Sequence, residues 1–142
     1  MNSVYRMNEG HLALLGEGWT DCTMHVIRHI HSHASLIITR GVITPGRTFA
    51  GELQYQHEQI SQQIADFQQS EAIPVHLPLL PDCPARETAA TYTRGQHVCH
   101  QRQLAVQLPE QRLLILTCTT LQAFSSDDEA FWLNVKNTLA TD

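Results

Sequence analysis

Hydrophobic residues recur at two different spacings in successive segments of this chain, and these spacings predict its secondary structure. Stretches in which apolar and polar residues alternate are typical of strands with one buried face, and stretches with apolar residues three to four positions apart are typical of helices. The strand-like stretches are residues 4–7, 22–30, 35–40, 87–94, 97–108 and 111–119, with an edge strand at most over 72–80. The helical stretches are residues 48–68 and 126–139. Because neighbouring strands are close enough to form hairpins, we predict an α+β fold with a mostly antiparallel sheet packed against helices.

Each predicted helix has a recognisable first turn. Thr48 is the expected N-cap of the long helix, and Ser126 with Glu129 three residues later forms a capping-box pattern at the start of the last helix. The long helix carries an apolar stripe that one polar residue, Gln56, interrupts. The stripe comprises Phe49, Leu53, Gln56, Ile60, Ile64 and Phe67, and that of the last helix comprises Phe131, Val135 and Leu139.

Two strands have one apolar face and one face of small or amide side chains. Alternation places Ser35, Ile37 and Thr39 on one side of the first strand. The second strand carries Gln103 and Ala105 on one side, together with Gln107. This face could be the ordinary solvent side of a sheet. It lacks Lys and Glu, the usual solvent-facing residues, and this favours a groove that is only partly exposed to solvent. Gln56 has the same two interpretations, a hydrogen-bonded core residue or a residue that faces a groove.

Composition excludes several classes of protein. The 142 residues suit one domain over residues 1–142, and 42% hydrophobic content is typical of globular chains. A net charge of −5 with nine Lys and Arg argues against nucleic-acid binding. No stretch approaches the roughly 20 apolar residues of a membrane span, and residues 1–10 lack the apolar core of a secretory signal. We therefore expect a cytoplasmic protein without stable membrane insertion, whose four cysteines are reduced.

Histidines provide the main competing signal, since nine are present. His29, His31 and His33 form an H-x-H-x-H run that would suit zinc, copper or nickel if it lay in a strand. The run coincides with a predicted turn, where the alternation of faces fails, and no cysteine or carboxylate stands at ligand spacing. Cys99 and His100 are neighbours on a strand and would point to opposite faces. We expect no metal site, no cofactor and no enzymatic activity.

Several segments together resemble a known family. They are residues 5–10 (YRMNEG), 18–21 (GWTD), 23–26 (TMHV) and 35–40 (SLIITR), followed by Phe49-Ala50, Gln56, Gln103 and residues 128–132 (DEAFW). In this order they resemble the DcrB-like family and, within it, the Eag-type chaperones of type VI secretion effectors. The resemblance covers nearly the whole chain and implies a single DcrB-like domain over residues 1–142. It also implies a Mog1/PsbP-like sandwich that acts as a homodimer.

The resemblance further implies a client-binding groove. Its polar side chains would imitate the contacts that helices make with one another in a membrane. The matching positions are Met24, Ser35, Thr39, Gln56 and Gln103, and the strand faces add Ile37 and Ala105. Thr39 stands where a serine is common in this family, so it keeps the hydroxyl and adds a methyl group.

These inferences lead to one expected function and two alternatives. The expected function is that of a chaperone or adaptor that shields transmembrane helices in the N-terminal region of a type VI effector of the PAAR or Rhs kind. It would hold this client until the effector is loaded on the secretion spike. The alternatives are a protein-binding module of the same fold with a different partner, and a histidine-rich metal-binding protein. The periplasmic lipoprotein branch of DcrB-like proteins is disfavoured, because the sequence shows neither a secretory signal nor a lipobox.

Overall fold

A computed structural model describes residues 3–19, 22–32 and 34–142. His33 of the histidine run, and Thr20 and Asp21 of the segment 18–21, lie outside the described residues. The elements in chain order are β1 (Ser3–Met7), β2 (Gly10–Leu14), β3 (His25–Arg28), β4 (Ser35–Val42), α1 (Phe49–Gln63), β5 (Gln68–Gln69), β6 (Ile73–Pro74), β7 (Ala85–Arg94), β8 (His97–Leu108), β9 (Arg112–Thr120) and α2 (Ser126–Thr138).

The strands form two antiparallel sheets. β1 and β2 pair with each other. The main sheet has the order β3-β4-β9-β8-β7-β5, and β6 also pairs with β7. The predicted α+β fold with a mostly antiparallel sheet is therefore confirmed. The 111–119 strand is apolar on both faces, which predicts a central position, and β9 does lie between β4 and β8.

The main sheet has a core on each face. The larger core packs Trp132 of α2 against Leu104 and Leu116 of the sheet and Leu77 of the segment before β7. The smaller core joins α1 to the opposite face. Its buried members are Ile43, Ala105 and Leu113, with Phe49, Leu53 and Ile115 packed around them. Because this second core is small and sits near the start of α1, the rest of α1 does not fill the space above the sheet.

Helix α1 is shorter than the sequence predicted. Thr48 is its N-cap, as expected, and its hydroxyl accepts a hydrogen bond from the Gly51 N–H. The helix ends at Gln63 and not near 68, since Ile64 is extended and Gln68–Gln69 form β5 against β7. Phe67 leaves the helical stripe and packs near the ring of Tyr92, 6.0 Å away between centroids. Sheet pairing therefore overrides local helical periodicity here.

Helix α2 differs from its prediction by one residue. Its N-cap is Ser125 and its N3 residue is Asp128, which form a reciprocal capping box in place of the predicted Ser126 and Glu129. The predicted stripe is wrong at its first residue, because Phe131 is exposed and Trp132 is buried, whereas Val135 and Leu139 pack against the larger core as predicted. The indole N–H of Trp132 donates to Glu87 of β7 over 3.2 Å, and this fixes which side of α2 meets the sheet.

Strand β3 is also shorter than predicted, covering His25–Arg28 and not residues 22–30. The chain then turns, and the His29 N–H donates to the Ala34 carbonyl over 3.1 Å. Within the turn, Nδ1 of His29 accepts hydrogen bonds from the backbone N–H groups of His31 and Ser32. The predicted hairpin between β3 and β4 is thus present, with a short first strand at the sheet edge.

Candidate binding face

Strand register brings the predicted site residues of β4 and β8 onto one face of the sheet. Ile37 pairs with Thr117 of β9, and Thr117 pairs with Gln103 of β8. Cross-strand partners point their side chains to the same side. These residues therefore form a continuous row across three strands, and Gln103 donates to the Thr117 hydroxyl over 3.3 Å.

A second row runs beside the first. Thr39 pairs with Ile115, which pairs with Ala105. Ser35 pairs with Thr119 on the same face. Hydroxyl, amide and aliphatic groups therefore alternate across one surface, as the sequence predicted for β4 and β8 separately.

The contribution of β9 is a feature that sequence reasoning missed. Thr117 and Thr119 alternate with the buried residues Leu116 and Cys118, so β9 has a hydroxyl-bearing face at this end. That alternation was visible in the sequence, although the apolar residues earlier in the strand dominate the pattern. We call the surface formed by Ser35, Ile37, Thr39, Gln103, Ala105, Ile115 and Thr117 the binding face.

Helix α1 crosses this face and leaves a groove of about 560 Å³ beside β7 and β8. Gln56 and His57 lie on its helical wall, and Gln103 and Ala105 on its floor. Five glutamines line it in all: Gln54, Gln56, Gln69, Gln101 and Gln103. Sequence reasoning missed Arg86, Thr88 and His57 as lining residues, because only the pairing of β7 with β8 brings the first two to the floor.

Gln56 lies half-buried on the groove wall. Within the described parts of the chain, its amide has no hydrogen-bond partner in the protein, while the amide of Gln103 on the floor has Thr117. Of the two interpretations of Gln56, the structure favours the one in which the side chain faces a groove. Its role in binding a client stays a prediction.

The remaining predicted residues lie outside the groove. Ser35, Ile37 and Thr39 lie on the part of the binding face nearer the sheet edge, and none of them lines the groove. Met24 precedes β3 and is exposed. Val26 of β3 pairs with Ile37 and extends the first row to the edge of the sheet with another exposed apolar side chain.

A buried carboxylate fixes the start of α1 above the binding face. Oε1 of Glu52 accepts hydrogen bonds from the N–H and the hydroxyl of Thr44, both over 2.9 Å. Oε2 of Glu52 accepts from the Arg47 guanidinium over 2.8 Å. The Thr44 N–H, ahead of Arg47, holds the pKa of Glu52 below its usual value despite the burial that opposes this. The helix is therefore tied to the preceding loop by a charged cluster.

The far end of α1 has its own attachments. His57 hydrogen-bonds with the amide oxygen of Gln69 in β5. After the helix, Asp66 accepts a hydrogen bond from the Thr93 N–H over 2.9 Å. Hydrogen bonds from the Thr93 side chain and backbone lower the pKa of the Asp66 carboxyl. Both ends of the groove wall are therefore held by polar contacts.

The histidine run forms no cluster with other ligands within the described ranges. No group of three or more His, Cys, Asp or Glu side chains in 3–19, 22–32 and 34–142 could hold a metal ion. His29 already uses Nδ1 to accept from its own turn, which leaves Nε2 alone for a ligand.

No helix within the described part of the chain has the length and apolar character needed to cross a membrane. This applies to α1 and α2 alike. Both helices carry polar residues over most of their length.

Comparisons with known proteins agree on the fold. No curated protein sequence matches the chain. The crystal structure of PA94, a Pseudomonas aeruginosa protein of unknown function, superposes with a TM-score of 0.77 at 21% identity, covering 99% of this chain and 97% of PA94. LpqN, a Mycobacterium tuberculosis protein involved in cell envelope biogenesis, superposes with a TM-score of 0.52 at 14% identity, covering 96% and 84%. A model of the DcrB family matches residues 9–138, so the chain belongs to the DcrB family.

Proposed function

We propose that this DcrB-family chain is an Eag-type chaperone of the type VI secretion system, acting as a cytoplasmic homodimer. Its client is the N-terminal region of a PAAR- or Rhs-type effector, whose transmembrane helices it shields before the effector is loaded on the secretion spike. The observation that carries the proposal is the binding face, on which hydroxyl and amide groups stand among aliphatic side chains without a Lys or Glu.

The chemistry of this face matches what transmembrane helices recognise in one another. Such helices associate through close packing at small residues and through hydrogen bonds from Ser, Thr, Asn and Gln side chains. Ser35, Thr39 and Thr117 offer hydroxyls, and Gln56 offers an amide without a partner in the described structure. Ile37 and the exposed Val26 next to it remove apolar client surface from water at about 25 cal/mol per Å².

The proposed mechanism is shielding, with no chemical step and no nucleotide. The exposed Met24 and Val26 continue the apolar surface toward the sheet edge. Met24 adapts to helices of different sequence, because methionine is unbranched and flexible. A client helix lying on the binding face would therefore meet aliphatic contact along its length and hydrogen-bonding groups at intervals.

Co-purification with and without the apolar helices tests the proposal. The chain is co-expressed with a tagged N-terminal fragment of an effector encoded next to it, and the pair is analysed by size exclusion with mass measurement. We expect a stable complex that is lost when the apolar helices of the fragment are deleted. A soluble fragment that never associates would refute the chaperone function.

Substitution of Gln56 by leucine tests the site itself. Interhelical hydrogen bonds in membranes contribute about 0.6–2 kcal/mol, so Gln56→Leu should weaken binding of the client fragment about 3- to 30-fold. Gln59→Leu is the matched control, because Gln59 is exposed on α1 and does not line the groove. Equal affinity for both variants, each with a wild-type melting temperature, would remove Gln56 from the site.

A second candidate is a binding module for a partner without transmembrane helices. The observation in its favour is the groove itself, where five glutamines and Arg86 give a lining with many hydrogen-bonding groups. The two functions differ in one result of the co-purification: a soluble-partner module keeps its complex after the apolar helices are deleted. Metal analysis of tag-free protein after chelation tests the metal-binding alternative separately.

A further inference from the structure

We infer that residues 3–19 and 22–30 form the surface through which two copies of this chain associate, with the β1–β2 hairpin of one copy adding to the open edge of β3 in the other. The homodimer itself belongs to the proposed function, whereas the surface and the strand pairing go beyond it. The inference depends on that function only for the biological purpose of the dimer, and it can be tested on the protein alone.

Exposed apolar side chains concentrate in this part of the chain. Of the 16 large hydrophobic side chains that are exposed among the described residues, nine lie between residues 3 and 30. We call these nine the N-terminal apolar surface: Val4, Met7, Leu12, Leu15, Trp19, Met24, Val26, Ile27 and Ile30. Ile30 is 88% exposed. Exposed apolar side chains concentrated in one part of a chain, rather than scattered singly, mark an interaction site on a protein.

The total exposed area of the chain supports the same conclusion. A compact monomer of 16.0 kDa exposes about 7,400 Å² by the usual scaling of area with mass. This chain exposes 9895 Å². The excess of about 2,500 Å² is at the upper end of what one subunit buries in an obligate dimer, about 1,000–2,500 Å². The chain thus has enough unburied surface for a second copy.

Across residues 3–19, 22–32 and 34–142, the hairpin has few tertiary contacts that could stabilise it. Among the described residues, β1 and β2 pair only with each other, and the Tyr5 hydroxyl reaches the Thr23 hydroxyl over 2.6 Å. An isolated two-stranded hairpin is marginally stable in water, and three or more strands or a packed face are needed. The hairpin therefore requires a partner, and a further strand is the simplest one.

Strand β3 offers an unpaired edge for that role. Within the described chain it pairs only with β4. The His29 N–H donates to the Ala34 carbonyl, and hydrogen-bonded residues alternate along an antiparallel pair. The backbone N–H and C=O groups of Ile27 therefore point toward β4, and those of Val26 and Arg28 point outward. Exposed Val26 and Ile27 flank this edge on opposite faces. Addition of an extended strand to such an edge is a common mode of recognition.

A second copy suits this arrangement better than an unrelated partner. A two-fold symmetric dimer needs a self-complementary surface, and here the donor hairpin and the acceptor edge lie within the same 28 residues. Both pairings would form at once, one on each side of the symmetry axis. Because Val26 continues the row that contains Ile37, the partner's hairpin would also border the binding face. Dimerisation would thus complete one wall of the client site.

Mass measurement of the chain alone provides the first test. Size exclusion with light scattering should give twice the 16.0 kDa chain mass for the wild type. Ile27→Lys should shift the protein to the monomer mass. Leu133→Lys is the matched control, because Leu133 of α2 is also 55% exposed but lies outside the N-terminal apolar surface. A monomeric wild type, or a dimer that only Leu133→Lys dissociates, would overturn the inference.

Cross-linking identifies the paired strands. Leu12 is replaced by a photoreactive residue, and ¹⁴N- and ¹⁵N-labelled preparations of this variant are mixed. A link between two copies can then join a peptide with one label to a peptide with the other. We expect mixed-label peptides joining the hairpin to residues 25–28. Links found only within one copy would refute the exchange of strands. Because no client is present, failure here leaves the client-binding test unaffected, and failure of client binding leaves this one unaffected.

Discussion

Replacing Glu52 by glutamine should lower the free energy of unfolding at neutral pH by about 2–3 kcal/mol. The carboxylate is buried and accepts three hydrogen bonds, two from Thr44 and one from Arg47. Glutamine keeps one acceptor oxygen that can serve Thr44. Its NH₂ group would then face the Arg47 guanidinium, so that a charge-assisted hydrogen bond becomes a contact between two donors.

The expected loss corresponds to a fall in melting temperature of about 6–12 °C for a chain of this length. Urea unfolding followed by circular dichroism at pH 7 measures the free energy directly. Glu58→Gln is the control, because Glu58 is exposed on the same helix and accepts one hydrogen bond from Gln54. A surface change of this kind should stay within about 0.5 kcal/mol of the wild type.

The pH dependence gives this prediction a second, independent readout. Glu52 has a lowered pKa in the folded state, so its stabilising contribution is complete above the unfolded value of about 4.3 and is lost as pH falls through the folded pKa. The stability difference between the wild type and Glu52→Gln should therefore shrink in acid. Other carboxylates titrate in both proteins and cancel in the difference. A difference that stays constant from neutral pH into acid, or no difference at all, would refute the reasoning.

Two further predictions concern α2 and the larger core. Ser125→Ala removes the N-cap, so it should lower the free energy of unfolding in urea by about 1 kcal/mol. Ser126→Ala should change it by only about 0.3 kcal/mol. A larger effect of Ser126→Ala would show that Ser126 is the cap. Burial, reinforced by the charge of Asp128, raises the pKa of the Cys118 thiol to about 11. A thiol reagent at mildly alkaline pH should therefore label the exposed Cys22 promptly and the buried Cys118 only after unfolding. Equally fast labelling of both cysteines in the folded protein would contradict that assignment.

Local pattern was sufficient to predict most of the elements and their order. The short Arg94-Gly95-Gln96 connection between the strand-like stretches 87–94 and 97–108 predicts the hairpin of β7 and β8, and Gly95 has φ 63° there, which glycine adopts without strain. The N-cap at Thr48 and the central position of β9 were likewise predicted. These features depend on neighbouring residues or on burial of both strand faces, and both leave a direct trace in the sequence.

Other features depended on contacts between residues far apart in the chain. The bond from Trp132 to Glu87 decides which side of α2 is buried, and pairing with β7 ends α1 early. Sequence alternation placed Gln103 and Ile37 each on the correct kind of face. It could not show that Thr117 lies between them, because side-chain alternation fixes a face within one strand but carries no information on register. The sequence by itself therefore determined the strand faces and their chemistry, while hydrogen-bonded pairing across β4, β9 and β8 alone decided that these faces form one surface beneath α1.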